Sequence, residues 1–396
     1  MNQKNSKISI TIIVIIGLLA LLIGCTPETK TENTTTTTTV EKYIFNNEDR
    51  NWFYPSIHVE NSNIFVVLNK ISSSDADNCL LFFKSEDLGN TWQAYKTIDK
   101  GFPDTYGANP VITGNNNKLF IMYYKKSLTD DSLGNLMLAV SDDYGSTWNS
   151  KSIEKTTYYG YGMSDISLKT EGNNLYSTLV CSFWVYLYKS TDNGITWNKT
   201  LIDNSNHYYS PSLAIDESKN VYIAYSANYS LPTSSGPEIK LVKEKVPTEK
   251  YIIDNTPNIG WKCSLFLNNS YLYFTYLDEN STGGGVKFGR LRKDNLSYVY
   301  EVKIVDKNKS AGSDIKSLAY DNYVFVVYTD DGRKSLKVAI SNNCGDTWTY
   351  KELDKSDNGD FAFISVANFN KSIFITYKKN NGLKLKKSFD NGETWE

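Results

Sequence analysis

Ser85-Glu86-Asp87-Leu88-Gly89-Asn90-Thr91-Trp92 is the first of five copies of one eight-residue pattern, Ser-x-Asp-x-Gly-x-Thr-Trp. The others run from Ser141 to Trp148, Ser190 to Trp197, Ser341 to Trp348 and Ser388 to Trp395. Four keep the acid as Asp87, Asp143, Asp192 and Asp390, and the remaining copy has Asn343 there. Each residue type suits a tight hairpin. Asp or Asn accepts backbone N–H groups of its own turn. Gly supplies a positive φ that a side chain resists, Ser and Thr hydroxyls satisfy further turn groups, and Trp carries a large apolar ring toward the core as the next strand begins. Five identical acids are therefore read as structural turn residues, since one catalytic centre has no use for five copies.

Spacing turns the hairpins into an architecture. Trp92 to Trp148 is 56 residues, Trp148 to Trp197 is 49 and Trp348 to Trp395 is 47. Trp197 to Trp348 is 151, room for two further units that have lost the pattern. Seven units result, each with four short strands. Unit two reads Ala108 to Thr113, Lys118 to Tyr124, Asn135 to Val140 and Thr147 to Ile153, and unit six repeats it from Asp314 to Leu353. The degenerate units keep strands at Val221 to Tyr225, Ile239 to Glu244 and Lys250 to Ile253, then Leu272 to Tyr276, Val286 to Leu291 and Tyr298 to Val305. Four strands at a period near 50 predict an all-β, seven-bladed β-propeller, with six blades as the alternative. Glu41 to Asn46 matches the outer strand of unit four, Glu249 to Asp254, so the N-terminal strand is expected to complete blade seven and remove a bare edge.

The five hairpins resemble the Asp-box, the bacterial neuraminidase repeat of the sialidase superfamily. That likeness covers residues 40–396 and implies a propeller. It leaves activity open, because the superfamily holds sialidases, other glycoside hydrolases, non-catalytic binding proteins and a photosystem assembly factor. Sialidases share an arginine triad that grips a carboxylate by bidentate pairing. This chain has only Arg50, Arg290, Arg292 and Arg333, and Phe53 stands where the first arginine of the triad is expected, so sialidase activity is not predicted.

The ends and the composition set the context. Lys4 and Lys7 precede an apolar run that closes at Leu21-Leu22-Ile23-Gly24-Cys25. This resembles a lipoprotein signal peptide over residues 1–24, with lipid on Cys25; a single membrane-spanning anchor is the alternative. Residues 25–39 are Thr-rich and read as a tether. Either reading puts the domain outside the cytoplasm and held to a membrane; a monomer is expected. Net charge is −2, so no nucleic-acid surface is expected. Cys79, Cys181, Cys263 and Cys344 fall in different units and are read as free thiols. No cofactor motif and no metal-ligand spacing occurs.

The segments leading into the innermost strands are rich in rings: Trp52, Tyr54, Tyr106, Tyr161, Tyr208, Trp261 and Phe361, with His207 among them. Three of these segments carry Asp165, Asp314 and Asp360. Rings stack on sugar faces, and carboxylates accept hydroxyl hydrogen bonds. The leading expectation is non-catalytic binding of a glycan or a partner protein at this face. A glycoside hydrolase on a neutral polysaccharide, using a pair of those Asp residues as acid and base, is the second. A scaffold for assembling a membrane complex is the third. The second-to-third strand loops hold Asp75, Asp77, Asp130, Asp131, Asp278, Glu279, Asp330 and Asp331, an acidic rim that disfavours anions and offers oxygen ligands to Ca²⁺. His58, in an alternating strand, is read as structural.

Overall fold

In the computed structural model, residues 43–46, 54–71, 78–101, 109–126, 133–157, 166–181, 184–204, 208–227, 238–254, 259–278, 285–307, 314–330, 332–359 and 361–396 are described. They lie within one unit, Lys42–Glu396. Residues 1–42, with Cys25 and the tether, lie outside the described set.

Seven four-stranded antiparallel sheets form the seven blades of a propeller. The innermost strands are Ser56–Glu60, Val111–Asn115, Ser167–Glu171, Tyr208–Ile215, Ile259–Leu267, Ile315–Tyr320 and Phe361–Phe369, for blades one to seven. Each packs against the next, and the seventh packs against the first, so the ring closes. Blade seven takes its outer strand from Phe45–Asn46, paired with the Gly382–Ser388 strand through Phe45↔Leu383 and Asn46↔Gly382. The N-terminal closure expected from the repeat is present, and the six-bladed alternative is excluded.

The second strands explain the order. Val221–Ala227 is buried at every position, as a strand covered on both faces should be. Core clusters therefore fall between blades: Leu318, Phe325 and Val338 of blade six pack with Ile364, Ile373 and Ile375 of blade seven.

The five hairpins build the seams between blades. In the first, Ser85 Oγ donates to Asp87 Oδ1 at 2.8 Å, and Thr91 donates its N–H to Oδ1 at 2.8 Å and its hydroxyl to Oδ2 at 2.7 Å. The set recurs around Asp143, Asp192 and Asp390. Asn343 reproduces it by accepting the Thr347 N–H at 2.9 Å and donating Nδ2 to the Thr347 hydroxyl at 2.9 Å. The threonine hydroxyl and N–H hold each Asp carboxyl down to about 2. Gly145 is constrained twice. Its φ is +83°, and a Cβ there would lie 2.4 Å from Phe82 Cζ on the preceding blade. Trp148 stands edge-on to that same Phe82 at 5.0 Å.

A second seam device repeats on the opposite face. An acid ending the outer strand of one blade accepts a tyrosine hydroxyl from the next: Tyr123 to Asp99 at 2.9 Å, Tyr225 to Asp203 at 2.9 Å, Tyr328 to Asp306 at 2.7 Å and Tyr377 to Asp354 at 2.7 Å. Tyr276 and Asp254 form the same bond. Lysines join these acids, with Lys250 on Asp203 at 2.6 Å and Lys379 on Asp354 at 2.8 Å.

Among the described residues Cys79, Cys181, Cys263 and Cys344 form no disulfide, and the first three are buried. Burial pushes the Cys263 thiol up to about 12.

Candidate site at the mouth of the central channel

The innermost strands carry a recurring serine that bonds to the next blade. Ser56 Oγ accepts the Ile112 N–H at 3.1 Å, Ser167 that of Leu213 at 3.3 Å, Ser212 that of Leu265 at 2.9 Å, and Ser365 that of Ile57 at 3.2 Å. This girdle fixes the relative height of the strands and so gives each blade an equivalent position two residues before its serine. The residues there include Tyr54, Ser210, Lys262 and Phe363, and all four line a central cavity of about 600 Å³. Asn109, two residues before Val111 of blade two, lines it as well.

Three of these residues stand in the left-handed region without being glycine: Ser210 at φ 50°, Lys262 at 58° and Phe363 at 54°. The strand pairing slips at each, between Tyr209 and Ser212, between Trp261 and Ser264, and between Ala362 and Ser365. A β-bulge re-aims the side chain it carries, and strain of this kind collects at functional sites. The bulges lie at one end of the channel. At the other end, the turns after the innermost strands bond to the third-to-fourth strand hairpins, as where Tyr144 N–H donates to Asn117 O at 3.0 Å. The face carrying the bulges is the mouth expected from the repeat.

Around the mouth the chemistry is divided. Tyr54 and Phe363 meet across the seam of blades one and seven, with ring centroids 4.1 Å apart and planes at 48°. The buried Asn69 accepts the Tyr54 N–H at 3.1 Å and so holds the first ring in place. Asn109 Oδ1 is buried and without a partner among the described residues. On blades five and six, Lys262 Nζ lies 3.2 Å from Asp314 Oδ1, while Asp314 Oδ2 accepts the Ile364 N–H of blade seven at 2.6 Å. Asp314 is 4% exposed and ties three blades together.

The expected site residues divide accordingly. Tyr54 and Asp314 are at the mouth. Phe361 is not: it is fully buried in the seam of blades six and seven, 5.9 Å from Tyr377, because alternation points it away from the channel and the following bulge brings Phe363 forward instead. Tyr208 and Trp261 belong to the innermost strands of blades four and five, and their side chains lie outside the described set. Trp52, Tyr106, Tyr161, His207, Asp165 and Asp360 lie outside the described residues. Two members of the expected acidic rim are corrected. Asp278 is buried against Lys287 at 2.7 Å, and Asp330 is buried against Lys337, so neither presents a free charge. His58 does more than fill a strand, since it lines the cavity. Phe363, Lys262, Ser210 and Asn109 escaped the sequence reading, because a bulge at a non-glycine residue leaves no mark in the alternation.

No arginine lines the cavity among the described residues. Arg290 donates to the Cys344 carbonyl and Asp346, each at 2.8 Å, and Arg292 forks onto Asp294. The described cavity acids are Asp314 and Glu171, which stand at opposite ends of their strands. Seven residues of extended chain separate these levels, roughly 20 Å, against the 5–10 Å that glycosidase carboxylate pairs keep.

No protein-family model and no curated protein sequence matches the chain. Its fold is similar to that of an α-L-arabinanase from Penicillium chrysogenum complexed with arabinobiose, at 12% identity and TM-score 0.55, covering 89% of this chain and 98% of that one. It is also similar to the endosialidase of phage phi92, at 11% identity and TM-score 0.51, covering 87% and 67%. YCF48 from Cyanidioschyzon merolae matches at 13% identity and TM-score 0.50, covering 88% and 98%. At such identities the likeness is one of fold.

Proposed function

We propose that this propeller binds a glycan at the mouth of its channel and does not cleave it, presented outside the cytoplasm by a lipid on Cys25 as an Asp-box lipoprotein. The observation that carries the reading is the Tyr54–Phe363 ring pair beside a cavity of about 600 Å³. Sugar C–H faces stack on such rings, and a cavity of this size suits a few sugar units. Asn109, whose Oδ1 has no hydrogen-bond partner among the described residues, adds a polar group to the cavity wall. The engagement of Asp314 on both oxygens favours binding over hydrolysis, since a general acid needs a proton to give. A hydrolase on a neutral polysaccharide is the second reading, in keeping with a fold shared with an arabinanase.

The test is a glycan array with the full-length protein in detergent, paired with an assay for released sugar on every glycan that binds. Binding without release supports the proposal. Release of sugar overturns it in favour of the hydrolase. Failure of any glycan to bind the folded protein overturns both and points to a protein partner.

A further inference from the structure

Below the mouth, the channel carries charge that its walls do not neutralise. Lys169 of blade three and Lys316 of blade six line the same cavity, and both side chains are exposed within it. Among the described residues neither has a hydrogen-bond or ion-pair partner. Other lysines of this protein are treated differently: Lys262 meets Asp314, Lys287 meets Asp254 and Asp278, and Lys379 meets Asp354. The nearby acids are already engaged, Glu171 with Lys219 at 3.2 Å and Asp314 as above. Lys169 and Lys316 come from strands separated by two blades on one side of the ring and three on the other, so their ammonium groups converge on the lumen from across it. Enclosure by protein and the charge of Lys316 both act against the Lys169 ammonium, holding it below the ordinary range. His58, from blade one, adds a buried Nε2 with no partner among the described residues. It packs where Gly114 leaves room, since a Cβ on Gly114 would lie 2.9 Å from that nitrogen.

Two unpaired cations facing one channel repel each other. An anion that accepts hydrogen bonds from several directions relieves this repulsion. We propose that the channel interior is an oxyanion-binding site, with Lys169 and Lys316 as its two charged donors. The oxyanion is either a free phosphate-like ion or the acidic substituent of a longer ligand entering past Tyr54 and Phe363. Where a sialidase relies on arginine forks, these are lysines, point charges that fit an oxyanion without imposing planarity.

The test is titration calorimetry of inorganic phosphate into the full-length protein at pH 7, repeated with Lys169→Gln, Lys316→Gln and the charge-keeping Lys169→Arg. Phosphate should bind, each Gln variant should weaken it about tenfold or more, and Lys169→Arg should retain it. Thermal unfolding supplies the folding control. In phosphate-free buffer the Gln variants should melt no lower than the parent, because repulsion has been removed, and phosphate should raise the Tm of the parent and of Lys169→Arg more than that of either Gln variant. A uronic-acid oligosaccharide that competes with phosphate, where its neutral counterpart does not, identifies the bound group as a substituent; no competition identifies a free ion. Absence of phosphate binding, or binding indifferent to both Gln variants, overturns the site. Neither result depends on Tyr54 or Phe363, so this inference and the glycan proposal fail separately.

Discussion

Tyr54 and Phe363 arise near opposite ends of the domain, yet their rings lie 4.1 Å apart because the N-terminal strand closes the ring beside blade seven. Ring closure thus makes the aromatic part of the mouth, and neither blade holds it alone. Tyr54→Ala and Phe363→Ala are each expected to weaken glycan binding about tenfold or more while leaving the Tm within a few degrees of the parent, as measured on the best glycan from the array.

Asp314 separates a structural from a catalytic role. It pairs with Lys262 and accepts the Ile364 N–H while almost fully buried. Asp314→Ala should cost about 3 kcal/mol in chemical unfolding, because Lys262 and the amide lose their acceptor together. Adding Lys262→Met should restore part of that loss. A catalytic acid would show the reverse pattern, with stability kept and turnover abolished.

Gly145→Ala probes a seam between blades. The positive φ and the 2.4 Å approach to Phe82 act together, so about 2 kcal/mol or more of destabilisation is expected by urea unfolding. Alanine at Gly172, where φ is also positive but no atom lies within 4 Å, should cost less.

The tyrosine–acid clasps hold five of the seven seams. Tyr225→Phe removes the hydroxyl that reaches the fully buried Asp203 side chain and should cost about 2 kcal/mol. Leu68 in blade one and Leu179 in blade three occupy the corresponding places, so the closing seam and the seam of blades two and three lack this bond. Of these two, the closing seam adjoins the blade whose outer strand is only the two residues Phe45–Asn46, and it is expected to open first, with hydrogen exchange fastest along Phe45–Asn46 and Gly382–Ser388.

His58 makes the stability depend on pH. Burial, then the charge of Lys169, lowers its pKa from 6.5 to about 4, so the folded ring stays neutral while the unfolded one takes up a proton. The resulting stability is whole above pH 6.5 and declines as pH falls toward 4, by about 3 kcal/mol. His58→Leu should flatten this window. The hairpin acids, held at about 2 against an ordinary 3.8, act only at lower pH and leave it undisturbed. A slope between pH 6.5 and 4 that survives His58→Leu would remove His58 as its cause.

Much of the fold could be read from local residues. The five hairpins identify themselves because Asp, Gly, Thr and Trp each answer a requirement inside one turn. Strand boundaries in the degenerate blades came within a few residues, since Val221–Ala227 and Tyr271–Asp278 are continuous apolar runs. The clasp acids Asp99, Asp203, Asp254, Asp306 and Asp354 stand at or next to the ends of the outer strands of blades one and three to six, but their partners lie on other blades and nothing local marks the pairing.

The sequence by itself determined the propeller, its seven blades and its closure by the N-terminal strand, because turn chemistry and strand burial are local and repeat. Only the tertiary structure decided which ring faces the channel. Phe361 was expected there and Phe363 is found, since the direction of a side chain after a bulge depends on how the strand is held by its neighbours. It also decided the state of each charge. Asp314 and Lys262 cancel across a seam, while Lys169 and Lys316 meet in a lumen without partners among the described residues. Charge pairing is set by distance through space, and a ring brings together residues that the chain keeps far apart.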